Sequence, residues 1–263
     1  MDIKPYMLFF FLVVTMGLQA QSPADNWYFG EKAGVKFTNA QVSLLSDGQQ
    51  QANEGVATLS DKLGNLLFYS DGDTIWNRNH EVMPNGTGLL GSATSTQSVV
   101  FCPSPSDSSQ YSVFTVDDAN GSNGLNYSII DIDLEGGLGD IISSMKNLAI
   151  DSVSVEKLLA VNRCDRDGYW IMCRPKTGDK IHVYALTSGC MDTTPIISNS
   201  LITTNSSGHT GYAKSNALNT RIAMCLPYHN VVELHKFNAQ TGALFDPILI
   251  KIPRADGSEL GRP

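Results

Sequence analysis

Short β-type runs separated by turn residues recur along almost the whole chain, and this punctuation limits the fold more than any other feature. Val56 to Ser60 precede Asp61-Lys62-Leu63-Gly64-Asn65, Leu66 to Ser70 follow, and Asp71-Gly72 leads into Thr74 to Asn77. Gly and Asn accept the positive φ that tight hairpins require, so these residues predict a β-meander. The pattern returns at Ser98 to Cys102 and Tyr111 to Val116, followed by Leu125 to Asp133. It returns again at Lys157 to Asn162, Tyr169 to Cys173 and Ile181 to Leu186, and at Tyr212 to Ser215, Arg221 to Leu226 and Val231 to Phe237. The first hairpin turn of each unit falls near residues 61, 106, 166 and 217, a spacing of about 45 to 60 that suits propeller blades. The prediction is an all-β, β-propeller-like array of about four blades, each of three or four strands, with a β-sandwich as the other architecture. Pro247 to Ile252 read as one more strand and Arg254 to Pro263 as a turn. Rings close with about four to eight blades. Either Trp27 to Phe37 closes a small ring, or the domain, 21–263, is truncated at its C-terminus.

The N-terminus carries Lys4, an apolar run from Met7 to Leu18 broken only by Thr15 and Gly17, and then Gln19-Ala20-Gln21. An apolar core of this length is too short for a bilayer span of about 20 residues and fits a cleaved signal peptide, residues 1–20. The chain is therefore expected to be exported, without a transmembrane segment after cleavage. Its formal net charge is −8, and Lys and Arg are not clustered, so nucleic acid is not an expected partner. Charged residues make up 17% of the chain, and abundant Gly, Ser, Thr and Asn fit many strands joined by turns.

The 5 cysteines match neither a zinc pattern nor a disulfide framework. A hairpin at Asp165 to Gly168 would set Cys164 against Tyr169 and Cys173 against Ala160, so the two nearest cysteines are not cross-strand partners. Acid pairs at Asp71/Asp73, Asp117/Asp118, Asp131/Asp133 and Asp165/Asp167 make calcium the one ion to consider, although none completes a Ca²⁺ loop motif. No other cofactor or metal is expected. Ser154-x-x-Lys157 and Lys176-Thr177-Gly178 match penicillin-binding motifs by coincidence, since both lie in strand or turn context. A polar residue precedes each first strand: Glu54, Gln97, Glu156 and His209. On innermost strands these four would ring one mouth of a central channel, where propellers bind ligands; the alternative is that they tie neighbouring blades together.

Asn26-Trp27-Tyr28-Phe29-Gly30, Asn53-Glu54-Gly55, Gly64-Asn65-Leu66-Leu67-Phe68-Tyr69, Trp76-Asn77-Arg78-Asn79-His80, Met83-Pro84-Asn85-Gly86-Thr87-Gly88-Leu89 and Ser95-Thr96-Gln97-Ser98 occur in that order. With Gly136-Gly137-Leu138-Gly139-Asp140 and Glu156-Lys157-Leu158, this series resembles the N-terminal propeller-like region of large exported surface proteins of gliding bacteria. Those proteins carry gliding-motility-associated regions and a type IX secretion sorting domain. The resemblance covers about residues 26 to 175 well. It implies an extracellular or outer-surface location, or the periplasm where no sorting domain is present, and a non-catalytic role. The expected function is a binding or adhesion module for an extracellular glycan or protein. The competing expectations are an extracellular polysaccharide hydrolase or lyase using Glu54 and Glu156, and a structural spacer.

Overall fold

The structure, a computed structural model, describes residues 23–38, 41–205 and 210–251. The expected signal segment, His209 and the expected turn at 254–263 lie outside the described residues. Among the described residues no helix is long and apolar enough to cross a membrane.

The chain folds into five small antiparallel sheets, each built from consecutive strands. The first holds β1 (Asn26–Phe29), β2 (Ala33–Phe37) and β3 (Val42–Leu45); the second holds β4 (Ala57–Ser60), β5 (Leu66–Ser70) and β6 (Ile75–Asn77). In the third, β7 (Val99–Pro103), β8 (Gln110–Val116) and β9 (Leu125–Asp131) form a meander, and β10 (Asp140–Ile141) and β11 (Leu148–Asp151) both pair with β9. The fourth holds β12 (Ser154–Asn162), β13 (Tyr169–Pro175), β14 (Gly178–Leu186) and β15 (Ile196–Thr204). The fifth holds β16 (Ala213–Ser215), β17 (Arg221–Leu226), β18 (Val231–Phe237) and β19 (Leu244–Lys251).

Local chemistry sets the hairpins. In the β4–β5 turn Asp61 Oδ1 accepts hydrogen bonds from the amides of Leu63 (2.8 Å) and Asn65 (2.9 Å), and Gly64 takes φ 80°. A side chain at Gly64 would be strained by that φ and would meet the Asp25 carboxylate at 2.4 Å.

The sheets stack in chain order, and the first strand of each touches the first strand of the next: β1 with β4, β4 with β7, β7 with β12, β12 with β16. Among the described residues there is no single core; each of four apolar clusters fills one interface between consecutive sheets. Tyr28, Tyr69 and Trp76 join the first and second sheets. Phe68, Ile75, Phe101, Val113 and Ile130 join the second and third. Cys102, Phe114, Ile171 and Tyr184 join the third and fourth, and Val161, Trp170, Met172, Ile222, Met224 and Phe237 join the fourth and fifth. Central strands are therefore covered on both faces, which explains why apolar alternation is imperfect in the sequence. The two end sheets differ. The free face of the first carries exposed Trp27, Phe29, Val42 and Leu44, and that of the fifth carries exposed Phe245, Ile248 and Ile250.

The all-β expectation holds, but the chain builds five sheets where the turn markers counted about four units. The markers began at residue 61 and passed over β1 to β3. The strand read after Pro247 is β19, the outer strand of the fifth sheet, and the third sheet has five strands rather than three or four. The β12–β13 register also differs from expectation, with Cys173 opposite Leu158 and Tyr169 opposite Asn162. All five cysteines are free thiols.

Candidate functional site

Two of the four expected mouth residues turn inward and bind the sheets together. Glu156 is 2% exposed, sits in a bulge of β12 at φ 67°, and points its carboxylate at the chain before β7. Its Oε2 accepts from the Thr96 amide and hydroxyl, both at 2.8 Å, and its Oε1 accepts from the Ala119 amide at 2.9 Å. Gln97 clamps the backbone of Ala213 in the fifth sheet: Oε1 accepts from its amide (2.6 Å) and Nε2 donates to its carbonyl (3.2 Å). Ser98 Oγ lies 2.7 Å from the Gly55 carbonyl, and Gly55 has no room for a side chain, since a Cβ would meet the Ser98 amide at 2.4 Å. Ser95 to Ser98 thus form a hub touching four sheets. Glu54 is exposed, its amide bonded to the Ala93 carbonyl. Of the three that the structure describes, Glu156 and Gln97 direct their side chains to protein partners and Glu54 is exposed, while His209 lies outside the described residues.

Lys157, next to Glu156, is almost fully buried, and its ammonium donates to the Thr210 carbonyl. Burial, reinforced by the nearby Arg174 charge and opposed by Cys225 and Glu156, lowers its pKa from 10.5 to about 7. The folded protein gives up this proton near neutrality while the unfolded chain keeps it to the ordinary lysine value. Between those two pH values the unfolded state binds more protons, so stability should rise with pH. Lys157→Met should flatten that rise when urea unfolding is compared at pH 7 and pH 9.

What lies at the centre of the array is a mixed wall of aromatic, aliphatic and a few polar side chains. The inner strands β1, β4 and β7, with the chain entering β16 and β16 itself, line a cavity of about 450 Å³. Alternation along Asn26-Trp27-Tyr28-Phe29 buries Asn26 and Tyr28 and leaves Trp27 and Phe29 52% and 41% exposed. Tyr28 is held by the Thr58 hydroxyl, which accepts from its amide at 2.9 Å, and by the Asp47 carboxylate, which accepts from its phenol at 2.8 Å. Trp27 is steadied by an edge contact with Phe37 and by its indole N–H, which donates to the Ala24 carbonyl at 2.8 Å. Across the cavity Lys214 Nζ lies 5.6 Å from the centre of the Tyr212 ring. The wall has aromatic faces, the hydroxyl-bearing Tyr28, Thr58 and Tyr212 and one ammonium, and neither a carboxylate nor an imidazole. It can stack against a flat ligand and hold an acceptor group. Sequence reading missed Trp27, Phe29, Tyr212 and Lys214; the alternation at β1 was the available signal.

The acid pairs serve turns. Asp71 Oδ1 accepts from the amides of Asp73 and Thr74, Asp117 from those of Asp118 and Asn123, and Asp131 from that of Asp133. Among the described residues no group of three or more His, Cys, Asp or Glu could hold a metal ion. Two ionic networks that the sequence did not signal are structural. Asp151 accepts from His182 (2.7 Å), Tyr184 (2.8 Å) and Ser154 (2.9 Å); these bonds outweigh burial and hold its carboxyl well below the usual range. Arg174, Glu233, His235 and Ser200 lie buried between the fourth and fifth sheets.

No protein-family description matches the chain, and no curated protein does. Among solved structures it is similar to a functionally unknown protein from Desulfotomaculum acetoxidans, at 10% identity over 88% of this chain and 68% of that one, with TM-score 0.45. A candidate 6-phosphogluconolactonase from Bacteroides fragilis aligns at 9% identity over 85% of this chain and 64% of its own, with TM-score 0.46. An auxiliary nutrient binding protein from Bacteroides thetaiotaomicron aligns at 8% identity over 84% of this chain and 42% of its own, with TM-score 0.41. The chain thus spans between 42% and 68% of the length of these structures.

Proposed function

We propose that the five sheets are blades of a propeller-type, non-enzymatic binding module of an exported or cell-surface protein, and that the cavity between the inner strands holds an extracellular glycan. The observation that carries this reading is the cavity wall, where Trp27, Phe29 and Tyr212 stand exposed beside Lys214. Exposed aromatic rings in a concave site supply contact area at little entropic cost, and sugar rings present flat apolar faces to them. The expected signal peptide and the family resemblance support a ligand outside the cell. The hydrolase alternative relied on Glu54 and Glu156, and the Glu156 carboxylate is already taken by three protein donors.

Trp27 provides the test, because Trp76 and Trp170 are buried and it alone of the three tryptophans is exposed. Saturable glycan binding should shift its emission. Trp27→Ala and Tyr212→Ala should each weaken binding at least tenfold, about 1.4 kcal/mol or more, with melting temperature little changed. Unchanged affinity in both variants, or silence across a broad glycan array, would remove this reading in favour of a protein ligand or a spacer.

A further inference from the structure

A second concavity, of about 470 Å³, lies away from the central cavity, between the β7–β8 loop and the β12–β13 hairpin. Its lining contains Arg163 and Arg166, with Asn162 and Tyr169, and no acidic residue. That is unexpected in a chain with 26 acids against 18 bases. Neither acid of the same hairpin lines the cleft, although Asp165 is paired with one of its arginines. Asp165 takes Arg163 Nε (3.2 Å) and Nη2 (2.7 Å), and Asp167 accepts from the Ser188 amide (3.0 Å).

The arginines differ in a way that suits recognition of an anion. Arg163 is fixed, its guanidinium carbon 4.4 Å from the centre of the Trp170 ring, and the Asp165 fork occupies only part of its five N–H groups. Arg166 makes no ion pair among the described residues, and its backbone is held at φ 62°. A non-glycine residue there is strained, and glycine would relieve the strain, so the guanidinium is what arginine adds at this position. Tyr169 completes the donor set. Its phenol is protonated at neutral pH, as an ordinary tyrosine's is, and burial, with lesser contributions from Cys102 and Tyr111, pushes it further up, to about 12.

We propose that this cleft binds an oxyanion group, carboxylate or sulfate, of an acidic glycan, with Arg166 as the principal contact, Arg163 as a fixed second guanidinium and Tyr169 as a neutral donor. The inference does not depend on the central cavity.

The test is calorimetric titration of the mature chain with oligogalacturonate, a sulfated glycosaminoglycan fragment, a neutral oligosaccharide of matching length, and inorganic sulfate. Binding of one or both acidic oligosaccharides, weakening as salt rises, with the neutral one at least tenfold weaker, is expected. Arg166→Gln should weaken acidic-ligand binding at least tenfold. Arg166→Gly should do the same without lowering the melting temperature, which separates loss of the ligand contact from loss of the fold. Trp27→Ala should leave acidic-ligand affinity unchanged; a loss there with Arg166→Gln silent would assign the binding to the central cavity and overturn this proposal. Equal affinity for neutral and acidic oligosaccharides, or binding of neither acidic probe, would overturn it as well. Preference between the two acidic probes identifies the group, and binding of inorganic sulfate alone would reduce the cleft to a simple anion site and refute the glycan assignment.

Discussion

Replacing Glu233 with alanine should destabilise the protein by about 3–5 kcal/mol, because it strands the Arg174 charge inside the protein. Both side chains are essentially unexposed, with Arg174 Nη1 3.5 Å from Glu233 Oε2. The same carboxylate accepts from Ser200 Oγ at 2.6 Å and from the Leu201 amide at 2.5 Å. Burial alone would raise the Glu233 carboxyl, but the His235 ring 3.5 Å away and the hydrogen bonds from Ser200 and Leu201 outweigh it and hold the carboxyl below its usual value. The pH sign follows. A carboxylate with a lowered folded pKa contributes stability above the unfolded value, and loses it as pH falls through the folded one. Urea unfolding from pH 7 to pH 3 should therefore show an acid limb that is shallower in Glu233→Gln. The Trp170 indole donates across this interface to the Ala239 carbonyl at 2.8 Å, so its fluorescence reports whether the fifth sheet stays docked.

The second large effect is expected at Glu156. Glu156→Ala leaves the amides of Thr96 and Ala119 and the Thr96 hydroxyl without their acceptor in a buried site, at a cost of about 3 kcal/mol. The order of variants is diagnostic. At φ 67° glycine is easier than alanine, so Glu156→Gly should be the less damaging by about 1 kcal/mol. Glu54→Ala, at an exposed position, should stay within about 0.5 kcal/mol of the parent. If Glu54→Ala were the more harmful, the hub described around Ser95 to Ser98 would be misassigned.

Local features were legible in the sequence and assembled ones were not. The Asp61 to Asn65 turn could be read because its donors, acceptor and glycine lie within five residues of one another. Glu156 was read as the residue before an inner strand, whereas it lies inside β12, and its direction was not legible either. That depends on a bulge and a left-handed backbone in β12, which no residue type there announces. β18 shows the same limit. Val231, Glu233, His235 and Phe237 alternate with Val232, Leu234 and Lys236, and either set could be the inward one by composition. The structure chooses the set with the charges because Arg174 and Ser200 of the fourth sheet stand opposite. The cavity was out of reach for a related reason, since Trp27 and Tyr212 are far apart in the chain and meet only when the sheets are stacked.

The division of the interior into four separate interfaces sets how the molecule should come apart. With no shared apolar core, stability is close to a sum of sheet terms and nearest-neighbour terms, to which the Ser95 to Ser98 hub adds one direct polar link from the third sheet to the fifth. The middle sheets are held from both sides and the first and fifth from one. Amide exchange should therefore be slowest in β8 and β13 and fastest in the two end sheets, with loss of structure spreading inward from both ends.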